Sequence, residues 1–509
     1  MFDRRSFLIT TASTIACTAL PRWSVAESAV QQARHLPAIR SEATLRHMGD
    51  YKRRASFGWE VAGIPPVNDA SHPSVELEWD QGTAVSNRPA RLRLCVLDTR
   101  EPKTPVEVRL RNFETVLGTF DLQWVAQFQV FEISLTAEQA AAVVREGIQL
   151  RQTAGELPVW ILTGTGTGPE MPDALKPHLL FEQKTDPDAE FFLRMNSLAC
   201  VQPFGWMDGC VLDGLRDLAA ISKYHYLQKS LNEHLNLWFK PDGEFLYENP
   251  RGEPVDNKTN GQESTLPFAV LAWERPEHPA LKVAVRFLSK EKDPAKHPIS
   301  TTSEGAYTVA YPLAAAARQL NDPKLAAHAY DLVMGRQQRL FDGKILSRTS
   351  GYNKSGKLSF GNRNWCRGVA WQFLGLVRTL MALEGIVDTS AGKEAVRQTA
   401  EWIIPYQLPN GLWSVFVHEP ELTPDTSGSA GIAAALALAA NHGWADSNAR
   451  ASSGKCLEGL KPHLTPDGFL GGASQSNKGG EGLQRGDYRV IYQMGMGLMA
   501  QLIAATESR

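Results

Sequence analysis

The sequence predicts an N-terminal antiparallel β-sandwich followed by an (α/α)6 toroid, and three observations carry that fold class. Residues from about 40 to 181 alternate apolar and polar side chains in short runs divided by Gly, Pro, Asn and Asp. From about residue 189 the texture changes to paired helices, the first of a pair apolar nearly all round and the second amphipathic. A tight turn recurs after second helices, as KPDG (240–243), FDG (341–343), LPNG (408–411) and TPDG (465–468).

The chain opens MFDRRSFLITTASTIACTAL, with Arg4 and Arg5 ahead of a modest apolar run. This reads as a twin-arginine export signal over residues 1–26, with a small-residue cleavage site at Ser24 to Ala26. The run is too short and too rich in Ser and Thr for a membrane anchor. The expected mature protein is periplasmic or secreted and not held at a membrane. Five cysteines remain in it, without zinc spacing, and are expected to be buried and mostly free, with a disulfide possible. A net charge of -2 gives no electrostatic case for nucleic acid. No cofactor or metal motif is present, and a homo-oligomer is compatible with the composition.

The sandwich strands are read as 75–80, 90–98, 106–113, 120–135, 147–153 and 158–164, with one helix from Ala137 to Glu146. The Gly/Pro-rich stretch 165–178 is read as the linker to the helical domain, residues 189–506. Helix pairs follow at 206–222 with 225–239, 264–274 with 278–290, 304–320 with 323–340, 366–385 with 391–406, and 427–441 with 446–462, before a last helix at 488–506. GSAGIAAALALAA (428–440) is apolar on every side, whereas Leu325, Ala329, Leu332 and Val333 form one stripe with charges opposite. Closing the first helices into an inner ring buries them on both sides, which an open array would not do.

In a closed ring the loops ahead of the inner helices share one mouth, so the polar residues there are the site candidates. Asn362 to Leu380 holds the sharpest motif: Trp365, Arg367 and Trp371, with Arg367 and Trp371 on one helix face. A guanidinium between indoles suits a carboxylated sugar, the fork taking the carboxylate and the indoles stacking on the ring. Trp206 and Asp208, Glu263, Glu304, Arg363, Tyr352, His418 and Asp425 complete the candidate set. Carboxylates and arginines in an aromatic-lined mouth suit glycosidic acid/base chemistry. Helix capping is the structural alternative for Asp208, Asp425 and the two glutamates, and His225, His234 and His328 read as outer-helix surface residues. The loop 474–488, flanked by paired glycines, is positioned to close over the mouth.

The helical part resembles the unsaturated uronyl hydrolases of glycoside hydrolase families 88 and 105, and related (α/α)6 glucuronidases. The resemblance rests on NWCRGVAWQFLGL (364–376), LWSVFVHEPELTPDTSGSAGIAAALALA (412–439), EGAYTVAYPLAAAARQLNDPKLAAHA (304–329) and FGWMDGCVLDGLRDLA (204–219). It implies an exo-acting hydrolase that removes a terminal glucuronic or unsaturated uronic acid from oligosaccharides. By motif, the family's two acids fall on Glu304 and Glu263. Both family residues are usually Asp, and the tryptophan two residues ahead of the acid is here Thr302. No histidine stands in 347–357, where the family carries an active-site one. These departures fit the hydrolysis of a saturated β-glucuronide by a glutamate pair. The alternatives are a uronic-acid polysaccharide lyase, with Tyr307, Tyr311 or Tyr352 as base, and a non-catalytic carbohydrate-binding toroid.

Overall fold

A computed structural model of the protein describes residues 34–69, 74–83, 88–111, 115–181 and 185–508. The export signal at 1–26 lies outside the described residues. The N-terminal region is a pair of antiparallel sheets. One has the order β1 (His35–Pro37), β11 (His178–Phe181), β5 (Ala90–Asp98), β10 (Val159–Gly164) and β3 (Glu60–Ile64), with β8 (Gln129–Leu135) also on β5. The other runs β2 (Arg40–Glu42), β4 (Val75–Glu78), β9 (Ile148–Gln152), β6 (Lys103–Leu110) and β7 (Val116–Gln123). β7 touches β8, and β3 touches β4 and β9, across the two sheets. The predicted helix is present as α1 (Ala137–Glu146), and Thr136 and Gln139 form a capping box at its start.

Two stretches of the β region depart from the sequence expectation. Residues 120–135 are not one strand: β7 and β8 are separated by a turn in which Trp124 and Phe128 have φ of 49° and 63°. Nor is 165–178 a domain linker, because β11 follows it and pairs with β5, from His178↔Arg93 to Phe181↔Ala90. The stretch is a packed crossover between β10 and β11, with Met171, Ala174 and Leu175 buried and Trp59 Nε1 donating to the Pro169 carbonyl at 2.8 Å.

The helical region begins with α2 (Pro187–Met195) and continues as α3 (Trp206–Ala219), α4 (Leu227–Trp238), α5 (Pro267–Glu274) and α6 (Ala280–Leu288). After β12 (Thr301–Thr302) come a π-turn at Ala306–Ala310, α7 (Tyr311–Gln319), α8 (Pro323–Leu340) and the hairpin β13 (Ser347–Tyr352) and β14 (Leu358–Arg363). The remainder is α9 (Cys366–Leu383), α10 (Ser390–Ile403), α11 (Thr426–Asn441), α12 (Ser447–Leu460), β15 (Ala473–Ser474), α13 (Gly480–Arg485), β16 (Arg489–Val490) and α14 (Gln493–Glu507). α3, α5, α7, α9, α11 and α14 each touch the next, and α14 returns to α3. α4, α6, α8, α10 and α12 each touch the ring helix that precedes them. α11 is buried from Thr426 to Ala439, as expected of a helix enclosed on all sides. Each recurrent turn places its glycine in the left-handed region: Gly243, Gly343, Gly411 and Gly468 have φ between 85° and 96°. The π-turn has a local cause. Pro312 carries no N–H for the Thr308 carbonyl, and the Thr265 hydroxyl donates to that carbonyl instead.

Polar groups buried within the ring are satisfied by one another. Tyr307 and Tyr311 donate to the two oxygens of Asp213 at 2.6 and 3.0 Å. Arg378 reaches Asp217 and the Gln501 carbonyl oxygen, the latter at 2.7 Å. These residues tie α3, the π-turn, α7, α9 and α14 together. Burial pushes the Asp213 carboxyl up, against the pull of Arg378. Cys95, Cys200, Cys210, Cys366 and Cys456 are all free and buried. His234 is not a surface residue: it is buried with Nε2 against the Ser197 carbonyl at 3.2 Å, and burial lowers its pKa to about 4. Among the described residues no helix is long and apolar enough to cross a membrane.

The two regions meet through a buried polar contact. Every residue of β5 from Leu92 to Asp98 is buried, and Asp467 and Phe469 of the helical region lie against Arg93. Arg93 must therefore find partners inside, and donates to both Asp467 oxygens at 2.7 and 2.6 Å and to Glu132 at 2.9 Å. Burial alone would push the Asp467 carboxyl up; Arg93 and His35 overcome it and hold the group well below the usual carboxylate range. Its stabilising contribution is thus complete above the unfolded pKa of about 3.9 and is lost as the pH falls below that. Arg93→Ala leaves Asp467 buried and uncompensated, and is expected to cost about 3–5 kcal/mol in stability at pH 7. Denaturant unfolding of both proteins at pH 7 and pH 3 measures this, and the difference should narrow at the lower pH.

Candidate active site

The inner-helix loops enclose a cavity of about 280 Å³. The helical region contributes Trp206, Glu263, Glu304, Arg348, Trp365, Arg367, Trp371 and Tyr492 to its lining. The β region contributes Asp98 to Pro102 and Trp124 to Gln127, from its β5–β6 and β7–β8 turns. Six candidates from the sequence thus share one cavity: Glu304, Glu263, Arg367, Trp365, Trp371 and Trp206. A larger groove of about 700 Å³ lies between α10 and α12. Its Arg397 is paired with Glu401 and Glu394 rather than converging with other groups on a substrate.

Glu304 stands just ahead of the π-turn. β12 pairs with β13, and the Ser303 N–H donates to the Arg348 carbonyl at 2.7 Å, which brings the two side chains together. Arg348 Nε donates to Glu304 Oε1 at 2.5 Å. Glu304 Oε2 is buried without a hydrogen-bond partner. Such an orphaned carboxylate oxygen on a cavity wall is unusual. Glu263 lies in a short 3-10 turn ahead of α5 and is exposed to the cavity.

Arg367 is 1% exposed and enclosed by indole and phenol rings, its guanidinium carbon 4.9 Å from the Trp365 ring centre and 5.9 Å from that of Tyr492. The sequence suggested a fork open to a substrate carboxylate, whereas here the fork is occupied. Its two terminal nitrogens donate to the Ser474 and Gln475 carbonyls at 2.7 and 2.6 Å. Nε alone is left without a partner. Arg367 therefore anchors the loop that follows β15. Asp425 does the same from below, accepting from Ser474 N and Oγ at 3.0 and 2.9 Å while capping α11 through Ser427 N. Trp365 lies between Arg367 and Arg348 and donates from Nε1 to Gln484 at 3.1 Å. Trp371 stacks on Tyr307 and meets Trp206 edge-on, with ring centres 6.1 and 5.4 Å apart.

The other candidates fall outside the cavity. Asp208 is buried and accepts from Gln202 N at 3.1 Å and Trp238 Nε1 at 2.8 Å. Arg363, at the end of β14, is exposed, and Tyr352 is exposed with its ring and hydroxyl against Arg339. His418 is exposed beside Glu419 at 3.3 Å. In each case a short-range motif placed the residue near an inner helix but not the direction of its side chain. Arg348 and the β-region turns were missed. Arg348 lies in 347–357, the segment in which the resemblance implies an active-site histidine.

Among the described residues, the grouping with metal-ligand chemistry is His35, His178 and Asp467. Residues so far apart in sequence leave no spacing signal. The Asp467 oxygens already accept from Arg93, from Thr465 Oγ1 at 2.8 Å and face His35 Nε2 at 2.9 Å, so the group fits an interdomain contact better than a metal centre.

Two variants follow from this geometry. Arg367→Lys keeps the charge but cannot hold both carbonyls, so the 474–485 loop should become the first site of limited proteolysis and KM should rise about tenfold. Burial raises the Asp208 carboxyl to about 7, against the hydrogen bonds from Gln202 and Trp238. The folded protein then keeps a proton that the unfolded chain loses near pH 4, so stability falls as pH rises from about 4 to 7, by about 1.4 kcal/mol per unit. Asp208→Asn should flatten this slope in unfolding midpoints measured across that range.

The comparisons with known proteins agree with this site's setting. Residues 305–508 match the family model described as Glycosyl Hydrolase Family 88. No curated protein matches the chain. Among solved structures, a possible member of family 105 from Salmonella enterica is 17% identical at a TM-score of 0.51, over 59% of this chain and 82% of its own. A family 105 glycoside hydrolase from C. acetobutylicum is 15% identical at a TM-score of 0.52, over 63% of this chain and 98% of its own. At such identities the likeness establishes a shared fold over that part of the chain. The family match over residues 305–508 bears out the resemblance read from the motifs, and the protein is a glycoside hydrolase.

Proposed function

We propose that the protein is an exo-acting hydrolase that removes a terminal glucuronic acid or unsaturated uronic acid from an oligosaccharide. The reading includes an (α/α)6 toroid as the catalytic scaffold, an N-terminal β-sandwich, and twin-arginine export to the periplasm or beyond. The observation that carries it is Glu304: a carboxylate at the mouth of an inner helix, with one oxygen on Arg348 and the other buried and unpartnered on the cavity wall. Glu263 faces the same cavity from the neighbouring inner helix. One carboxyl protonates the leaving oxygen, or the C4=C5 bond of an unsaturated uronate, and the other orders water. Carboxyls from separate helices suit the wider spacing of an inverting enzyme, about 6.5–9.5 Å. Trp206 and Trp371 supply the stacking faces for the sugar ring, and the β-region turns wall one side, which favours attack at a chain end.

A lyase is less well supported. Tyr307 and Tyr311 are buried on Asp213, and Tyr352 is outside the cavity. Tyr492 lines the cavity, but burial pushes its phenol up and its hydroxyl faces Met207 Sδ at 3.0 Å. The test is turnover of 4-nitrophenyl β-glucuronide and of lyase-generated unsaturated oligosaccharides. Nitrophenol release reports the saturated chemistry, and loss of the conjugated-uronate absorbance reports the other. Glu304→Gln keeps the shape and removes the proton chemistry, so kcat should fall by about 10²–10⁴ with substrate affinity retained. Near-normal kcat in a folded Glu304→Gln protein would remove Glu304 from the mechanism.

A further inference from the structure

The catalytic cavity does not end at Glu263. A second cavity of about 520 Å³ adjoins it, and the two share Trp206, Met207, Pro250, Arg251, Glu263 and Lys478. The first, at about 280 Å³, is at the small end of ligand pockets and suits one sugar, so the second is the natural place for the residue across the scissile bond. Asn249, Asn260 and Gln262 line it with amides.

The charges at the junction are uneven. The other cations of the catalytic cavity are occupied: Arg100 by Asp98 and the Arg251 carbonyl, Arg348 by Glu304, Arg367 by loop carbonyls. Arg251 and Lys478 are exposed, and among the described residues neither side chain has an ion-pair or hydrogen-bond partner. Of the carboxylates facing the second cavity, Glu253 accepts from Asn249 Nδ2 at 2.8 Å and Glu263 is the uncommitted one. Two free cations thus stand against one free carboxylate.

Both cations are carried on loops that the β region fixes. Arg100, in the left-handed region at φ 62°, donates to the Arg251 carbonyl, and Arg54 N donates to the Gly252 carbonyl at 3.2 Å. Trp124, also left-handed at φ 49°, lies so close under Gly479 that a Cβ there would come within 2.9 Å of its ring. Two non-glycine residues in sparsely populated backbone, both on the cavity wall and both supporting a cation-bearing loop, mark a built feature of the site.

We propose that Arg251 and Lys478 form an anion-binding subsite, which takes a carboxylate or sulfate on the sugar across the scissile bond from the terminal uronate. The inference rests on the hydrolase reading above and names its substrate class: an oligosaccharide acidic on both sides of the bond. The β region then acts in specificity, by holding the two loops that carry the subsite.

The test compares two disaccharides that differ in one carboxylate, β-glucuronyl-glucuronic acid and β-glucuronyl-glucose. The expected kcat/KM of the wild-type enzyme is about tenfold higher for the diacid at 50 mM salt, and the preference shrinks at 0.5 M salt. In Arg251→Gln/Lys478→Gln the ratio should fall to about one; each single variant, with circular dichroism as a folding check, should lie between. A wild-type preference for the neutral disaccharide, or a ratio the double variant leaves unchanged, overturns the subsite. If neither disaccharide nor its 4,5-unsaturated counterpart is cleaved, the hydrolase reading fails separately, and calorimetric binding of the same pair decides the subsite. Diacid preference lost in the double variant supports it; equal binding or none overturns it.

Discussion

The helical region depends on one buried carboxylate. Asp213 on α3 has no route to water, so its two oxygens fix Tyr307 and Tyr311, and Arg378 supplies the balancing charge while reaching Asp217 and Gln501. A group of this kind is costly to bury unless all its partners are present. The partners come from α9, α14, the π-turn and α7, so the network joins those elements to α3. Tyr307 in turn stacks on Trp371, which lines the cavity, so the same network sets one wall of the site.

A ring alone leaves its mouth open. The β region closes one side, and buried polar contacts join it to the helices. Arg93 is buried against Asp467, Gln475 Nε2 donates to Gln129 at 3.0 Å, and Gln493 Nε2 donates to the Phe128 carbonyl at 2.6 Å. Phe57 stacks on Phe128 and meets Trp238 edge-on, joining the two cores. The loop 474–485 is held from three directions, by Arg367, by Asp425 through Ser474, and by Trp124 beneath Gly479. Its anchors come from α9, from α11 and from the β7–β8 turn, so the two regions define the cavity jointly.

Much of the fold was legible because its signals are local. The capped helix Ala137–Glu146, the strand Ala90–Asp98 and the glycine turns each declare themselves within a few residues. The pattern misled where periodicity ran through a turn: apolar residues continue from Phe120 to Leu135 although Trp124 and Phe128 reverse the chain. Gly and Pro in 165–178 read as a linker because composition does not reveal that β11 returns to β5. In the site, Trp365, Arg367 and Trp371 of the motif all line the cavity, but the motif does not show what Arg367 holds, since the Ser474 and Gln475 carbonyls are over a hundred residues away in sequence. Arg348 and Trp124 reach the cavity through long-range pairing, which leaves no mark on a single sequence.

The central claim is that one cavity, built around Glu304 and Glu263, receives the terminal uronate. A crystal structure of the Glu304→Gln protein soaked with β-glucuronyl-glucuronic acid tests it most directly. The account predicts the terminal ring against the cavity-facing side of the Trp206–Trp371 pair, with the scissile oxygen within hydrogen-bond reach of residue 304 or 263. A disaccharide seated in the groove between α10 and α12, or in the mouth with its scissile bond beyond reach of both carboxyl positions, would contradict it.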